Sequence, residues 1–340
     1  MRKPMTTLAS TFATAATTLA TAFTTTLAVG LLAVAGGAHA QAWPAKPVTL
    51  LVPFPPGGST DLIARTLAPK LQEKLGGTFI VQNQGGAGGT VGTAAIKRAA
   101  PDGYNILVTS LGPLVIGPHL LKAVGYDAVK DLDYITVAVQ APNVLCVPAA
   151  SKLKTLADVL AHLKAEPGKM SFASSGNGSS DHLTAELFWQ VTGTSGLHIP
   201  YKGGGPAMSD LLGGQVESAF ININTALPQI KSGKLRAVAV SSAKRSPLLP
   251  DVPTMDEQGV KGADVQSWQA FAAPKGVPAD IKNKLRDAVV AGMADPVVKA
   301  KLLELGFEIV GNTPEQFTAF QATEYARWKK VIEVGKITAD

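Results

Sequence analysis

The sequence predicts an α/β protein made of two successive strand–helix series around a cleft. Two observations predict it. Short apolar runs alternate with amphipathic stretches throughout the chain after Gln41. Each series also opens in the same way, with an apolar run, a glycine-rich loop and a helix start. Residues 48–52 lead through Pro53-Phe54-Pro55-Pro56-Gly57-Gly58 into Ser59-Thr60-Asp61, and residues 170–174 lead through Ser175-Gly176-Asn177-Gly178-Ser179-Ser180 into Asp181.

Residues 48–52 form a continuous apolar run, the pattern of a buried strand. Ser59, Thr60 and Asp61 are N-cap residue types, and Ile63, Leu67, Leu71 and Leu75 follow at one-turn spacing. Gly76-Gly77 stops this helix, and Pro69 predicts a kink inside it. A strand is expected at 78–82, then a glycine-rich loop over 83–90 and a short helix through Ala99. The turn Pro101-Asp102-Gly103 precedes a strand at 104–109. Strands at 134–139 and 144–147 are expected to be broken by Ala141-Pro142-Asn143.

The second series begins with a helix at 155–164, capped by Thr155, and a strand at 170–174. A helix at 181–191 and a strand at 197–201 follow. Gly203-Gly204-Gly205-Pro206 opens another helix, which Gly213-Gly214 ends. Strands at 216–221 and 235–241 precede a proline-rich loop at 247–253. The chain closes with a strand at 267–272 and helices near 278–294, 296–305 and 314–334. If 267–272 returns to the first sheet, the domains are discontinuous: 41–142 with 263–340, and 143–262. Two crossing segments then form a hinge, and both Gly/Ser loops face the cleft at the carboxyl ends of strands.

Bulk properties exclude several classes. The chain has 340 residues, 46% hydrophobic and 16% charged, a folded profile with a sizeable core. A net charge of +6 without a basic block, and only 6% aromatic residues, argue against a nucleic-acid partner. Arg2-Lys3, the apolar stretch 27–35 and Ala38-His39-Ala40 read as a signal peptide over 1–40, cleaved near Ala40. Its apolar core is shorter than the ~20 residues a membrane span needs. Cys146 is the single cysteine, so no internal disulfide forms, and its apolar surroundings read as core. No metal motif is legible. Val91 stands where a dinucleotide fingerprint after Gly86-Ala87-Gly88 needs glycine, and no Walker lysine follows any glycine run. No cofactor is therefore expected.

A strand feeding a glycine turn and then a helix N-terminus makes an anion site from unpaired N–H groups and the helix dipole. Both loops qualify. Asp61 is either a dipole-favoured first-turn residue or a positioning group in the cleft. His182, in the first turn of its helix, is structural or ligand-facing. A serine nucleophile at Ser179 with His182 would make a hydrolase, but no Gly-x-Ser-x-Gly elbow is present.

The motifs together resemble the Bug family, the TctC-like receptors of tripartite tricarboxylate transporters. Trp43-Pro44-x-Lys46-Pro47 leads into Pro53-Phe54-Pro55-Pro56-Gly57-Gly58-x-x-Asp61. Gly85-x-Ala87-Gly88-Gly89, Ala100-Pro101-Asp102-Gly103-Tyr104 and Ser175-Gly176-Asn177-Gly178 with His182-Leu183 follow. So do Pro200-Tyr201-Lys202-Gly203, Asp210-Leu211-Leu212-Gly213-Gly214-Gln215-Val216 and Leu249-Pro250-Asp251-Val252-Pro253-Thr254. Gln84-Gly85-Gly86 departs from the family's frequent Arg-Pro-Gly, and Asn222-Ile223-Asn224 is more apolar than usual. The resemblance implies a type II periplasmic-binding-protein fold, two doubly wound α/β domains that close over a small carboxylate. It implies a non-enzymatic, monomeric periplasmic receptor that serves the membrane subunits of a tripartite tricarboxylate transporter or, alternatively, a sensor kinase. Phe54, Pro55, Gly57, Gly58, Thr60 and Asp61 would bind from one domain. Ser175, Gly178, Ser179, Ser180, Asp181 and His182 would bind from the other, with Gly204 and Asn222 lining the cleft.

Overall fold

The computed structural model describes residues 43–339, so the expected signal peptide over 1–40 lies outside the described residues. Their helices and strands all fall in the unit Lys46–Asp340. Continuous apolar composition makes β1 (Val48–Val52) a buried central strand, parallel to its neighbours on both sides. It feeds α1 (Ser59–Leu75), which runs through Pro69 as one helix and ends at Gly76. β2 (Phe79–Asn83), α2 (Thr90–Lys97) and β3 (Asn105–Ser110) complete the first parallel triplet. A π-helical turn, Gly112–Ile116, then runs into α3 (Gly117–Leu120).

β4 (Leu132–Pro148) is one 17-residue strand where two were expected. After it come α4 (Leu156–Ala165), with the expected Thr155 cap, and β5 (Ser171–Ser174). α5 (Ser180–Thr192), β6 (Leu197–Pro200), α6 (Gly204–Leu212) and β7 (Ser218–Asn222) repeat the order of the first half. α7 (Ile223–Lys231), absent from the sequence reading, precedes β8 (Leu235–Val240). The chain returns through β9 (Gln266–Pro274), α8 (Ala279–Ala294), α9 (Pro296–Glu304), β10 (Glu308–Ile309) and α10 (Pro314–Gly335).

The two expected sheets join into one mixed sheet of order β2-β1-β3-β9-β4-β7-β5-β6, with β8 and β10 also on β4. Each triplet is parallel, and β4 and β9 run antiparallel between them. β9 pairs with β3, so the strand expected at 267–272 does return to the first sheet. β4 is shared: Leu132 to Pro142 pair with β9, and Asn143 onward with β7 and β8. Pro142 falls where the ladder changes partner, a place that tolerates a residue without an N–H. The proline read from sequence as a break is thus the crossing point.

Each half has its own core. Leu107, Leu114, Trp268, Phe317 and Trp328 are buried in the first, and Leu145, Phe172, Phe188 and Phe220 in the second. Trp268 meets Phe317 and Phe320 edge-on, its ring centroid 5.7 and 5.6 Å from theirs, at the centre of the first core. Cys146 is fully buried, and burial pushes its thiol up to about 12. The C-terminal segment also reaches the second half. Leu183 and Leu187 of α5 share a core with Trp328, Ile332 and Ile337, and Gln190 Nε2 donates to the Val331 carbonyl at 3.0 Å.

Candidate functional site

Both halves place their loops by the same device: the central strand of a parallel triplet ends, the chain turns on glycine, and a helix begins. In the first half β1 is that strand. Gly57 turns at φ +91°, a conformation open to residues without a Cβ, and Gly58 is the N-cap of α1. Ser59, Thr60 and Asp61 therefore fill the first three helical positions, and the cap falls one to three residues earlier than these residue types suggest. No side chain caps α1, so its first N–H groups remain available.

Asp61 shapes this loop. It is 4% exposed and accepts from the Gly57 N–H at 3.0 Å, Asn83 Nδ2 at 2.9 Å and Arg65 Nε at 2.9 Å. Burial opposes its charge, but Arg65, the Gly57 N–H and Asn83 together hold its carboxyl below the ordinary range. Asn83 Nδ2 also donates to the Phe54 carbonyl at 3.1 Å, which ties β2 to the loop. Phe54 is half-buried, Thr60 is buried, and Pro55, Gly57 and Gly58 are exposed.

In the second half β5 is the central strand, Gly178 turns at φ +77°, and Ser179 caps α5 by accepting from the His182 N–H at 3.3 Å. Asp181 is 7% exposed and accepts from the Ser175 N–H at 3.0 Å and from the Ser175 hydroxyl. Each loop thus has a first-turn aspartate folded back onto it. The start of α6 joins the second loop: the Tyr201 and Gly203 N–H groups donate to the Ser174 and Ser175 carbonyls at 3.0 and 3.1 Å. Gly204 opens α6 half-buried, and no side chain caps that helix.

His182 is 1% exposed, and its Nδ1 accepts from the Gly178 N–H at 3.1 Å. Its Nε2 faces Glu186 Oε1 at 3.6 Å, so both ring nitrogens are turned to the protein. Its ring stacks on His198 with centroids 3.9 Å apart. Ser179 Oγ meets the backbone of His182 and not its ring, so the Ser–His pairing a hydrolase needs is not formed. Burial and the neighbouring His182 lower His198 to about 3, and its Nε2 lies 2.6 Å from Ser174 Oγ.

The two sets of loops approach each other closely. Ser59 Oγ donates to Asn224 Oδ1 at 3.2 Å, which joins the start of α1 to the start of α7. A Cβ built on Gly112 would lie 2.9 Å from the Gly178 carbonyl oxygen, and one on Gly88 would lie 2.9 Å from that of Asn177. Asn222 ends β7 beside this junction and is 8% exposed. Sequence reasoning missed Asn83, Gly88, Gly112, Asn143, Thr184, His198 and Asn224. Apart from the Ser180 carbonyl that Thr184 meets within its own helix, their partners lie 16 to 165 residues away in the chain, so no local motif signals them. What the arrangement offers is N–H donors from several helix starts at one junction, each backed by a positive dipole end, which suits an anion.

The profile of the tripartite tricarboxylate transporter family receptor matches residues 63–336. Protein BugT of Bordetella pertussis is 40% identical over 300 residues, which cover 88% of this chain and 92% of that protein. Among solved structures, periplasmic binding protein BugD is similar at TM-score 0.81 and 38% identity, covering 87% of this chain and 99% of that one. The R. palustris protein Rpa4515 with adipate is similar at TM-score 0.83 and 33% identity over 87% and 99% of the two chains. MatC from Rhodopseudomonas palustris, with bound malate, is similar at TM-score 0.81 and 29% identity over 85% and 100%. With this profile, these sequence relatives and the shared α/β architecture, the chain belongs to the tripartite tricarboxylate transporter receptor family.

Proposed function

We propose that this protein is a periplasmic receptor that closes over a small carboxylate and delivers it to the membrane subunits of a tripartite tricarboxylate transporter. The observation that carries the reading is that loops of both halves meet where helices begin: Ser59 at the uncapped start of α1 bonds Asn224 at the start of α7, and Gly112 and Gly88 approach the Gly178 and Asn177 carbonyls just before α5. Adipate and malate in two similar structures support a carboxylate as the anion.

In this reading residues 41–142 with 263–340 form one domain and residues 143–262 the other, hinged at Pro142/Asn143 and between Val240 and Gln266. Gly57, Gly58 and Thr60 hold the ligand from the first domain. Ser175, Gly178, Ser179 and Ser180 hold it from the second, with Gly204 and Asn222 alongside. Phe54 and Pro55 form the apolar wall of the first loop. Asp61, Asp181 and His182 act by fixing the loops that carry the donors. A ligand touching both loops binds the closed state better than the open one, and that difference drives closure.

A thermal-shift screen of the mature protein, refolded once to remove carried-over ligand, tests this against mono-, di- and tricarboxylates. A true ligand at 100 times its dissociation constant stabilises the fold by ~2.7 kcal/mol, several degrees in the midpoint. Folded protein that no carboxylate shifts would overturn the reading.

A further inference from the structure

Behind the ligand loops a buried hydrogen-bond relay ends in an atom without a partner. The Thr184 hydroxyl lies 2.7 Å from the Ser180 carbonyl oxygen, which can only accept, so the threonine's proton points there. Asn143 Nδ2 lies 2.9 Å from the same hydroxyl and must donate to it. That turns Asn143 Oδ1 towards Asn222, whose Nδ2 donates to it at 3.2 Å. Flipping either amide would set two acceptors against each other, so the Ser180 carbonyl fixes the orientation of all three side chains. Asn143 and Thr184 are fully buried, and Asn222 is 8% exposed.

The relay leaves Asn222 Oδ1 as its last acceptor, buried and with no donor. A buried amide oxygen without a hydrogen bond is unfavourable and uncommon. This one sits at the carboxyl end of β7, two residues before the Asn224 that meets Ser59 of the first loop. A carboxylate cannot satisfy it, because a carboxylate has no proton to give.

Resting on the carboxylate reading above, we infer that Asn222 Oδ1 reads a hydroxyl or amino group on the ligand. The receptor's substrate is then a hydroxy- or amino-substituted carboxylate and not the plain acid. The helix starts take the carboxylate groups, and Asn222 selects what lies between them. Its orientation is set from Ser180, the first residue of the helix that holds the anion, so the two kinds of recognition share one rigid support.

The test is calorimetry on the refolded protein with acids that differ by one donor: succinate, malate and aspartate; glutarate, 2-hydroxyglutarate and glutamate; tricarballylate and citrate. Both enantiomers of each chiral acid are included. In at least one set the hydroxyl or amino acid should bind at least tenfold tighter than the unsubstituted acid. Malate against aspartate then shows which donor is read. In Asn222→Leu, which keeps the branched side-chain skeleton and removes the acceptor together with the donor to Asn143, that ratio should fall towards one. Unsubstituted acids binding as tightly as their partners in the wild type would overturn the inference and leave the carboxylate reading standing. A ratio that persists in the variant would overturn the role of Asn222. Binding of none of these acids would overturn the inference, and the carboxylate reading falls with it only if no acid of the wider thermal-shift screen binds either. If the variant does not fold, the wild-type ratio alone decides.

Discussion

Gly112→Ala is expected to weaken carboxylate binding at least tenfold while the ligand-free protein unfolds at the same temperature or slightly higher. Gly112 opens the π-helical turn after β3 without a left-handed backbone, so alanine strains nothing locally. Within a helix alanine is favoured over glycine by about 1 kcal/mol. The added Cβ would instead sit 2.9 Å from the Gly178 carbonyl oxygen of the opposite half, closer than such contacts allow. Backbone cannot rotate out of the way as a side chain can, so the two halves must stay a few tenths of an ångström apart. In the proposed flytrap mechanism this approach belongs to the closed state, so the penalty falls there. About 1.4 kcal/mol against closure is a tenfold loss of affinity. Gly88 faces Asn177 in the same way, but at φ +62° its substitution would add backbone strain and blur the reading. Unchanged affinity in Gly112→Ala would show that ligand binding does not need this approach.

Asp61→Ala should lower stability at pH 7 by about 2–4 kcal/mol and weaken ligand binding, with the fold retained. The variant leaves the Gly57 N–H and one Asn83 Nδ2 proton without their buried acceptor; hydrogen bonds to a charged group are worth about 1.5–3 kcal/mol each, and water reaching the exposed Gly57 returns part of that sum. Arg65 is half exposed and returns to water, so it adds little. The pH dependence follows from the lowered carboxyl pKa. The stabilisation is present above the ordinary value of 3.8 and is lost as pH falls through the folded value, so wild type and variant converge in acid. Denaturant titrations at pH 7 and pH 3 check this. A difference under about 1 kcal/mol at pH 7, or an unchanged calorimetric affinity, would remove Asp61 from the support of the loop.

The two ligand loops were legible in sequence because their chemistry is local. An apolar run, two glycines or a Gly/Ser stretch, and polar residues before a helical repeat describe β1–α1 and β5–α5 completely. The first-turn position of Asp61 is legible in sequence, but its partners are not. Its carboxyl reaches back to the Gly57 N–H and across to Asn83 instead of capping its own helix. The Asn143–Thr184–Asn222 relay was not legible, since its members lie 41 and 79 residues apart and meet only when β4 and β7 pair. Pro142 misled for a similar reason. Proline usually ends a strand, and here it marks where one strand changes neighbours. Pro228 sits inside α7, a helix that the sequence reading left out altogether. His182 reads from its place in a helix first turn as structural or ligand-facing, and its ring nitrogens lie against the Gly178 N–H and Glu186, neither of which a local motif signals.

Whether helix starts from both halves hold a carboxylate anion is decided by calorimetric titration with a matched pair. The pair is the tightest-binding acid from the screen and its amide, equal in size and carbon skeleton but without charge. Saturable binding of the acid and at least a hundredfold weaker binding of the amide are expected. An amide that binds as tightly as the acid would contradict this.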